Sequence, residues 1–369
     1  MKTLESTNQK GANRRSFLKN GIAAASAVTV GAGMLSNGLS ALGAKNGGGI
    51  TEGDAAALRF LAAAEILETD LWQQYNELGG VDAPPSAYQT ALQQLDGDMP
   101  QYIADNTDDE ESHELFINAY LISKGAKPVS LEQFRTLEGS EVTAIPGIDG
   151  KKRLTNLMRL SVDTSWWTRY RSRTQNPDFG DTFPNAVPTL ATGMFTAIPK
   201  NDAELGFGIT TTPVNNHIQA IANTAGFHFA FIEQGGTSLY AAMAQKVTSL
   251  EVLRIVLSIG GTEIMHFQTW HDKAGNAVPL TDGALTFPDL KTPPQPESLQ
   301  GNLIMPEPTV FLSKSFPVCS IIRPTAKTGI AMGAVTGLRK DGLFINQSPD
   351  FFEFMEDLAH EADEAERVL

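Results

Sequence analysis

One cysteine, Cys319, stands in a chain of 369 residues. A disulfide within the chain is therefore excluded, and so is a metal cluster held by thiolates. Basic residues are few as well: 28 Lys and Arg face 42 Asp and Glu, for a formal charge of −14. A chain that neutralises phosphates needs a basic surface, so nucleic acid is not an expected partner. No apolar run reaches the roughly 20 residues that a membrane-spanning helix needs. No nucleophilic serine motif, phosphate-cradling loop or separate acid–base pair stands out, and Gly47-Gly48-Gly49 reads as linker. What remains is ordinary globular composition, 41% hydrophobic and 19% charged, enough for one large domain or two.

The N-terminus reads as an address. Asn13-Arg14-Arg15-Ser16-Phe17-Leu18-Lys19 resembles a twin-arginine export signal, followed by a weakly hydrophobic, Ala- and Gly-rich run from Gly21 to about Leu35 and small residues around Ala41 to Ala44 for cleavage. Residues 1–44 are thus expected to be a signal peptide engaging the twin-arginine export machinery, with the mature protein periplasmic or extracellular. A single membrane anchor is the competing reading. That route carries proteins already folded, which suits a protein that takes up metal before export.

The chemistry is concentrated in two spacings. Glu263 and His266 lie three apart inside the largely apolar run Val252 to Phe267, and Glu110 and His113 repeat the same Glu-x-x-His spacing earlier. An acid and an imidazole are not buried in apolar surroundings without a partner. By number two such matches are a modest signal, but their placement adds to it. Residues three apart project to one side of a helix, so each pair can reach a metal between packed helices. Each pair also follows a helical stretch with an acid on its apolar face, Glu65 in the first case and Glu233 in the second. The order Glu, then Glu-x-x-His, twice over, matches the ligand pattern of a dinuclear carboxylate site in a four-helix bundle. Carboxylate with neutral imidazole suits iron, manganese or zinc better than calcium or magnesium.

Four long helices carry these residues. The first is expected to start at Thr51-Glu52-Gly53-Asp54 and stop at Gly79-Gly80. The second runs from Asp98-Met99-Pro100 to Gly125, the third starts at Thr212-Pro213, and the fourth begins with a capping box at Thr248 to Glu251 and ends near Gly275-Asn276. In the first helix Glu65 and Glu68 are both ligand candidates. Leu61, Ala62, Glu65 and Leu71 match Phe229, Ala230, Glu233 and Leu239 at identical offsets, which favours Glu65 and sets Trp72 opposite Tyr240. Trp72 and Tyr240 read as packing residues, with a role as redox neighbours left open. Asp108, Asp109, Glu111 and Glu114 read as a solvated acidic face. His217, His228 and His271 read as core or surface residues rather than ligands.

The stretches Ala64 to Trp72 and Asp109 to Phe116 resemble the first- and second-helix motifs of the exported ferritin-like domain proteins, a group similar to the desiccation-related proteins. The resemblance covers residues 51 to 275. It implies an all-α, ferritin-like four-helix bundle binding two iron or manganese ions, with Glu65, Glu110, His113, Glu233, Glu263 and His266 as the metal ligands. The bundle is expected over residues 45–276, interrupted by a crossover at 126–211 that contains a basic amphipathic helix from Lys151 to Thr174. Core covering is the expected role of that insertion, with a lid or oligomer contact as alternatives. Residues 277–369 read as a mixed, Pro-rich extension with strand-like segments at 309–312 and 318–322 and a last helix from Ser348-Pro349 to Arg367, whose Glu356 and His360 read as surface residues. The expected activity is redox or metal-handling chemistry with oxygen or peroxide, of ferroxidase, oxidase or catalase type if the protein is an enzyme. A non-catalytic stress or desiccation protein on the same scaffold is the alternative, and a homo-oligomer is compatible with either.

Overall fold

The computed structural model describes residues 49–172, 174–291, 308–321 and 328–368. The expected export signal lies outside them. The described chain is mostly helical, and its four longest helices are α1 (Glu52–Gly79), α3 (Met99–Ser123), α7 (Asn216–Met243) and α8 (Leu250–Ala274). Between them lie α2 (Ala87–Leu92), α4 (Ser165–Arg171), α5 (Pro188–Thr192) and α6 (Asp202–Leu205); α9 (Ile330–Lys340) and α10 (Pro349–Glu364) close the chain. Among the described residues strand is confined to three antiparallel two-stranded ribbons: Leu137–Glu138 with Lys152–Arg153, Leu280–Asp282 with Leu285–Phe287, and Pro308–Thr309 with Cys319–Ser320. Among the described residues no helix is long and apolar enough to cross a membrane.

Local chemistry explains the helix starts. Thr51 caps α1 by accepting from the Asp54 amide at 3.0 Å, and Ser348 caps α10 in the same way. Such a cap contributes about 1 kcal/mol. Two boundaries differ from the sequence reading. Asn215, not the Thr212-Pro213 pair, caps α7 by accepting from the Ile218 amide, because its short amide side chain reaches back to the first turn. Ser249 rather than Thr248 caps α8.

The long helices pack in two pairs, α1 with α3 and α7 with α8. An aromatic stack joins the pairs: Trp72 of α1 lies against Phe229 of α7 and Trp270 of α8, with ring centroids 4.8 and 5.3 Å away. Truncating such a buried tryptophan to alanine costs about 3–5 kcal/mol. The terminal helices join the same body, α10 packing on α1 and α9 on α7 and α10.

The crossover departs most from expectation. Of the helix expected over 151–174, only Ser165–Arg171 is helical. The physical reason is that its amides are taken by other segments: Asn156 by the Leu343 carbonyl, Leu160 by that of Phe195, Ser161 by that of Asp341, and Leu154 and Thr155 by Asp70, buried on α1. Its Oδ2 accepts from the amides of Leu154 and Thr155 at 3.0 and 2.9 Å and from the Thr155 hydroxyl at 2.7 Å, while its Oδ1 meets Arg135 at 2.5 Å. A chain segment whose amides are taken by a carboxylate cannot also donate them to a helical ladder. The short helix that does form buries Trp166, Trp167 and Tyr170, and Trp167 stacks on His271 of α8 at 5.3 Å. Among the roles considered for the crossover, covering the core is the one these contacts show.

Candidate metal centre

Two clusters of ligand-type side chains form where the helix pairs meet. One comprises Glu65, Glu110, His113 and Glu263; the other comprises Glu110, Glu233, Glu263 and His266; within each, one donor atom per residue lies within 4.8 Å of the others. All six residues are buried. Each helix pair supplies one private Glu/His couple, Glu65 with His113 and Glu233 with His266. Glu110 and Glu263 belong to both clusters. Glu68, the alternative on the first helix, belongs to neither.

Placement follows from helix periodicity. Glu110 and His113 are three apart on α3, and His113 Nδ1 sits 3.1 Å from Glu110 Oε2, 3.4 Å from Glu65 Oε2 and 3.6 Å from Glu263 Oε1. His266 repeats this on α8, its Nδ1 lying 3.0 Å from Glu110 Oε1 and 3.2 Å from Glu233 Oε2. Space for Glu263 comes from Gly236 on α7, where an added Cβ would overlap its Oε2.

Behind these side chains stands a second layer of hydrogen bonds. Asn106, one turn before Glu110, donates its Nδ2 to Glu110 Oε1 at 2.7 Å and to Glu233 Oε1 at 3.0 Å, and its Oδ1 accepts from Trp270 Nε1 at 2.7 Å. The aromatic stack thus orients an amide that in turn orients two carboxylates. Asp109 Oδ2 lies 3.1 Å from His266 Nε2, the outer contact that fixes an imidazole with its other nitrogen turned inward. Tyr240 donates its hydroxyl to Glu65 Oε1. Neither Asn106 nor Asp109 was singled out from the sequence as a site residue. Asn106 had a legible signal, its position four before Glu110; Asp109, expected in the solvated face, meets its partner only across a helix–helix seam.

Charge in so small a volume has to be compensated. Burial pushes Glu65 up to about 7, against the pull of His113, and pushes Glu233 and Glu263 above the ordinary carboxylate range, with neighbouring carboxylates adding to the effect at Glu263. At Glu110 burial is outweighed by His266 and His113, which hold it below that range. Burial works against the charged form of His113 too, but Glu65 and Glu110 raise it to about 11; His266 is raised in the same way by Glu233 and Glu110.

Protons alone leave the cluster unsatisfied. Glu65 Oε2, Glu233 Oε2, both oxygens of Glu263 and His266 Nδ1 are buried with no hydrogen-bond partner, a costly state for polar atoms. His266 Nδ1 is close to two carboxylate oxygens yet aligned with neither. These orphaned atoms face one another across the two clusters. That arrangement fits cations, and the donor set of carboxylate oxygens and imidazole nitrogens fits iron, manganese or zinc. Cys319 is exposed and takes no part.

The other histidines are placed elsewhere. His228 is buried with Nδ1 2.7 Å from the Tyr75 hydroxyl, and burial lowers it to about 3. His271 accepts from Arg171, and His217 is held by Asp282 and Glu204 at the surface. His360 lies on α10, and Glu356 there pairs with Arg339 across the surface at 3.3 Å. Compared with known proteins, the chain matches no family model, and no characterised protein or solved structure matches it.

Proposed function

We propose that this chain is an exported ferritin-like protein whose four long helices form a dinuclear four-helix bundle holding two iron or manganese ions. Glu65 and His113 would hold one ion, Glu233 and His266 the other, and Glu110 and Glu263 would be shared between them. The observation that carries this reading is the pair of buried clusters with two carboxylates in common and orphaned donor atoms facing inward. Four carboxylates against two divalent ions give near neutrality, which resolves the burial of so many acids. Two adjacent redox metals supply the capacity to exchange two electrons with oxygen or peroxide in one event, the basis of ferroxidase, oxidase or catalase chemistry.

The protein's own groups prepare that site. Asp109 would keep the His266 Nε2 proton outward so that Nδ1 is free to bind, and Asn106 would hold Glu110 and Glu233 in register. Tyr240, in contact with Glu65, is placed to move a proton or an electron beside the centre. The aromatic stack of Trp72, Phe229 and Trp270 excludes water from one side.

Elemental analysis of the purified protein beside a Glu263→Ala, His266→Ala double variant tests the reading. About two iron or manganese per chain, lost in the variant, is the expected result. No metal in either would overturn it and favour a structural stress or desiccation role on the same scaffold. Export is tested separately: Arg14→Lys with Arg15→Lys is expected to retain a reporter fused to residues 1–44 inside the cell, and unaffected export would sink the twin-arginine reading.

A further inference from the structure

A cavity of about 300 Å³ lies between α1, α7, α9 and α10, and two of its lining residues connect it to the metal centre. Gly236 lines it, and an added side chain there would run into Glu263. Glu68 lines it as well, and its carboxyl is close enough to Glu65, Glu110, Glu233 and His266 for their charges to act on it. Glu68 makes no hydrogen bond or ion pair to any described residue, unlike Glu65 one turn earlier. The remaining wall is mainly apolar, including Leu67, Phe231 and Phe344, with Arg169 and the mutually bonded Gln234 and Ser238 as its other polar members. A larger depression of about 590 Å³ beside Arg339 and His360 shares no lining residue with the clusters.

We infer that this cavity is the binding site for an organic substrate of the metal centre, a small and mostly apolar alcohol, phenol or amine whose single hydrogen-bond donor is received by Glu68. The inference rests on the dinuclear reading above. A mainly apolar wall on which Glu68 is the one carboxylate selects that class, because most positions on the ligand would meet no polar partner and a second polar group there would be desolvated without compensation. Size sets a bound: a cavity of about 150 Å³ admits benzene, so one of about 300 Å³ admits roughly a dozen non-hydrogen atoms. Gly333 and Gly337 of α9 form part of the wall, and both have open space where a Cβ would stand. Each costs about 1 kcal/mol in helix propensity against alanine, and a bulky side chain at either has room to reach over the cavity.

The test uses the full chain loaded with manganese(II), with metal counted first, and 2-naphthol against 2-methylnaphthalene as probes in calorimetric titration. Gly333→Leu and Gly337→Leu, each favourable for the helix, are expected to keep the metal and weaken 2-naphthol at least ten-fold. Glu68→Gln is expected to keep the metal and weaken 2-naphthol more than 2-methylnaphthalene. The protons of bound 2-naphthol should relax faster in the manganese form than in the zinc form. Unchanged affinity in both glycine variants, no faster relaxation, or no binding at millimolar probe would overturn the inference and leave the metal reading intact. Loss of metal in Glu68→Gln would make Glu68 a ligand and overturn its assigned role. Absence of metal from the unaltered protein would overturn the dinuclear reading itself, a failure visible before any probe is added.

Discussion

The two halves of the centre use one recipe with different backing. In the α7–α8 half, His266 has its outer nitrogen against Asp109 and Glu233 is held by Asn106. Both supports come from α3, the opposite pair. In the α1–α3 half, Glu65 is held by Tyr240 from α7, while the outer nitrogen of His113 bonds to no described residue. Each half is therefore oriented by the other, but the α7–α8 half is tied at two points and the α1–α3 half at one. A better anchored ligand loses less freedom on binding, so the α7–α8 half should be the tighter of the two.

The largest effect comes from abolishing the comparison. Glu263→Gln removes a carboxylate common to both halves and should take metal content from about two per chain to near zero by elemental analysis, whereas Glu65→Gln should remove about one. Without metal the sign reverses. Burial and neighbouring carboxylates push Glu263 well above the ordinary carboxylate range, so at neutral pH its burial costs stability, and metal-free Glu263→Gln should melt higher than the metal-free parent, by roughly 2–4 °C for each kcal/mol of that cost relieved. A lower melting temperature would mean that the apo cluster is held by its protons rather than strained by its charges.

Next comes the asymmetry itself. Asp109→Asn should weaken the α7–α8 half by about 10–100-fold, the usual cost of losing an outer partner of a metal-bound histidine, and so make the halves equal. Competition with a chelator would show whether one ion or both become labile. A smaller change is expected from Tyr240→Phe, which leaves Glu65 without its donor and should cost about 1 kcal/mol of stability and loosen only the α1–α3 ion.

Acidity offers the mildest probe. Glu65 is raised to about 7 from an ordinary value of 4.5, so in the metal-free protein its contribution to stability is fully present below 4.5 and is lost as pH rises through about 7. Metal binding requires the same proton to leave. Affinity at the α1–α3 half should therefore rise across that interval, with protons released in calorimetry, and a flat profile would show that Glu65 is not a ligand.

Much of this was legible in the sequence because it is local. Glu110 with His113 and Glu263 with His266 are pairs within one helical turn, and Glu65 was favoured over Glu68 by matching one helix to another; the structure brings Glu65, and not Glu68, into the clusters. What could not be read depends on contacts between segments far apart. Asp109 is one residue from a candidate ligand yet meets a histidine 157 positions away. The basic segment after Lys151 had helical periodicity, but Asp70, 84 positions before Leu154, takes the Leu154 and Thr155 amides and the Leu343 carbonyl takes that of Asn156, so no helical ladder forms there. Periodicity reports which face a helix would bury; it does not report whether a buried acid elsewhere has a stronger claim on the same backbone.

Asp70 also sets how the molecule breathes. Leu154 and Thr155 lie in an irregular segment, where amide hydrogens ordinarily exchange with solvent through small local openings. Lifting this segment away would strand a buried carboxylate without the donors it holds, and that penalty is several kcal/mol. The Leu154 and Thr155 amides should thus be protected as long as those in the middle of α1, and the crossover and the helix beneath it should open as one unit.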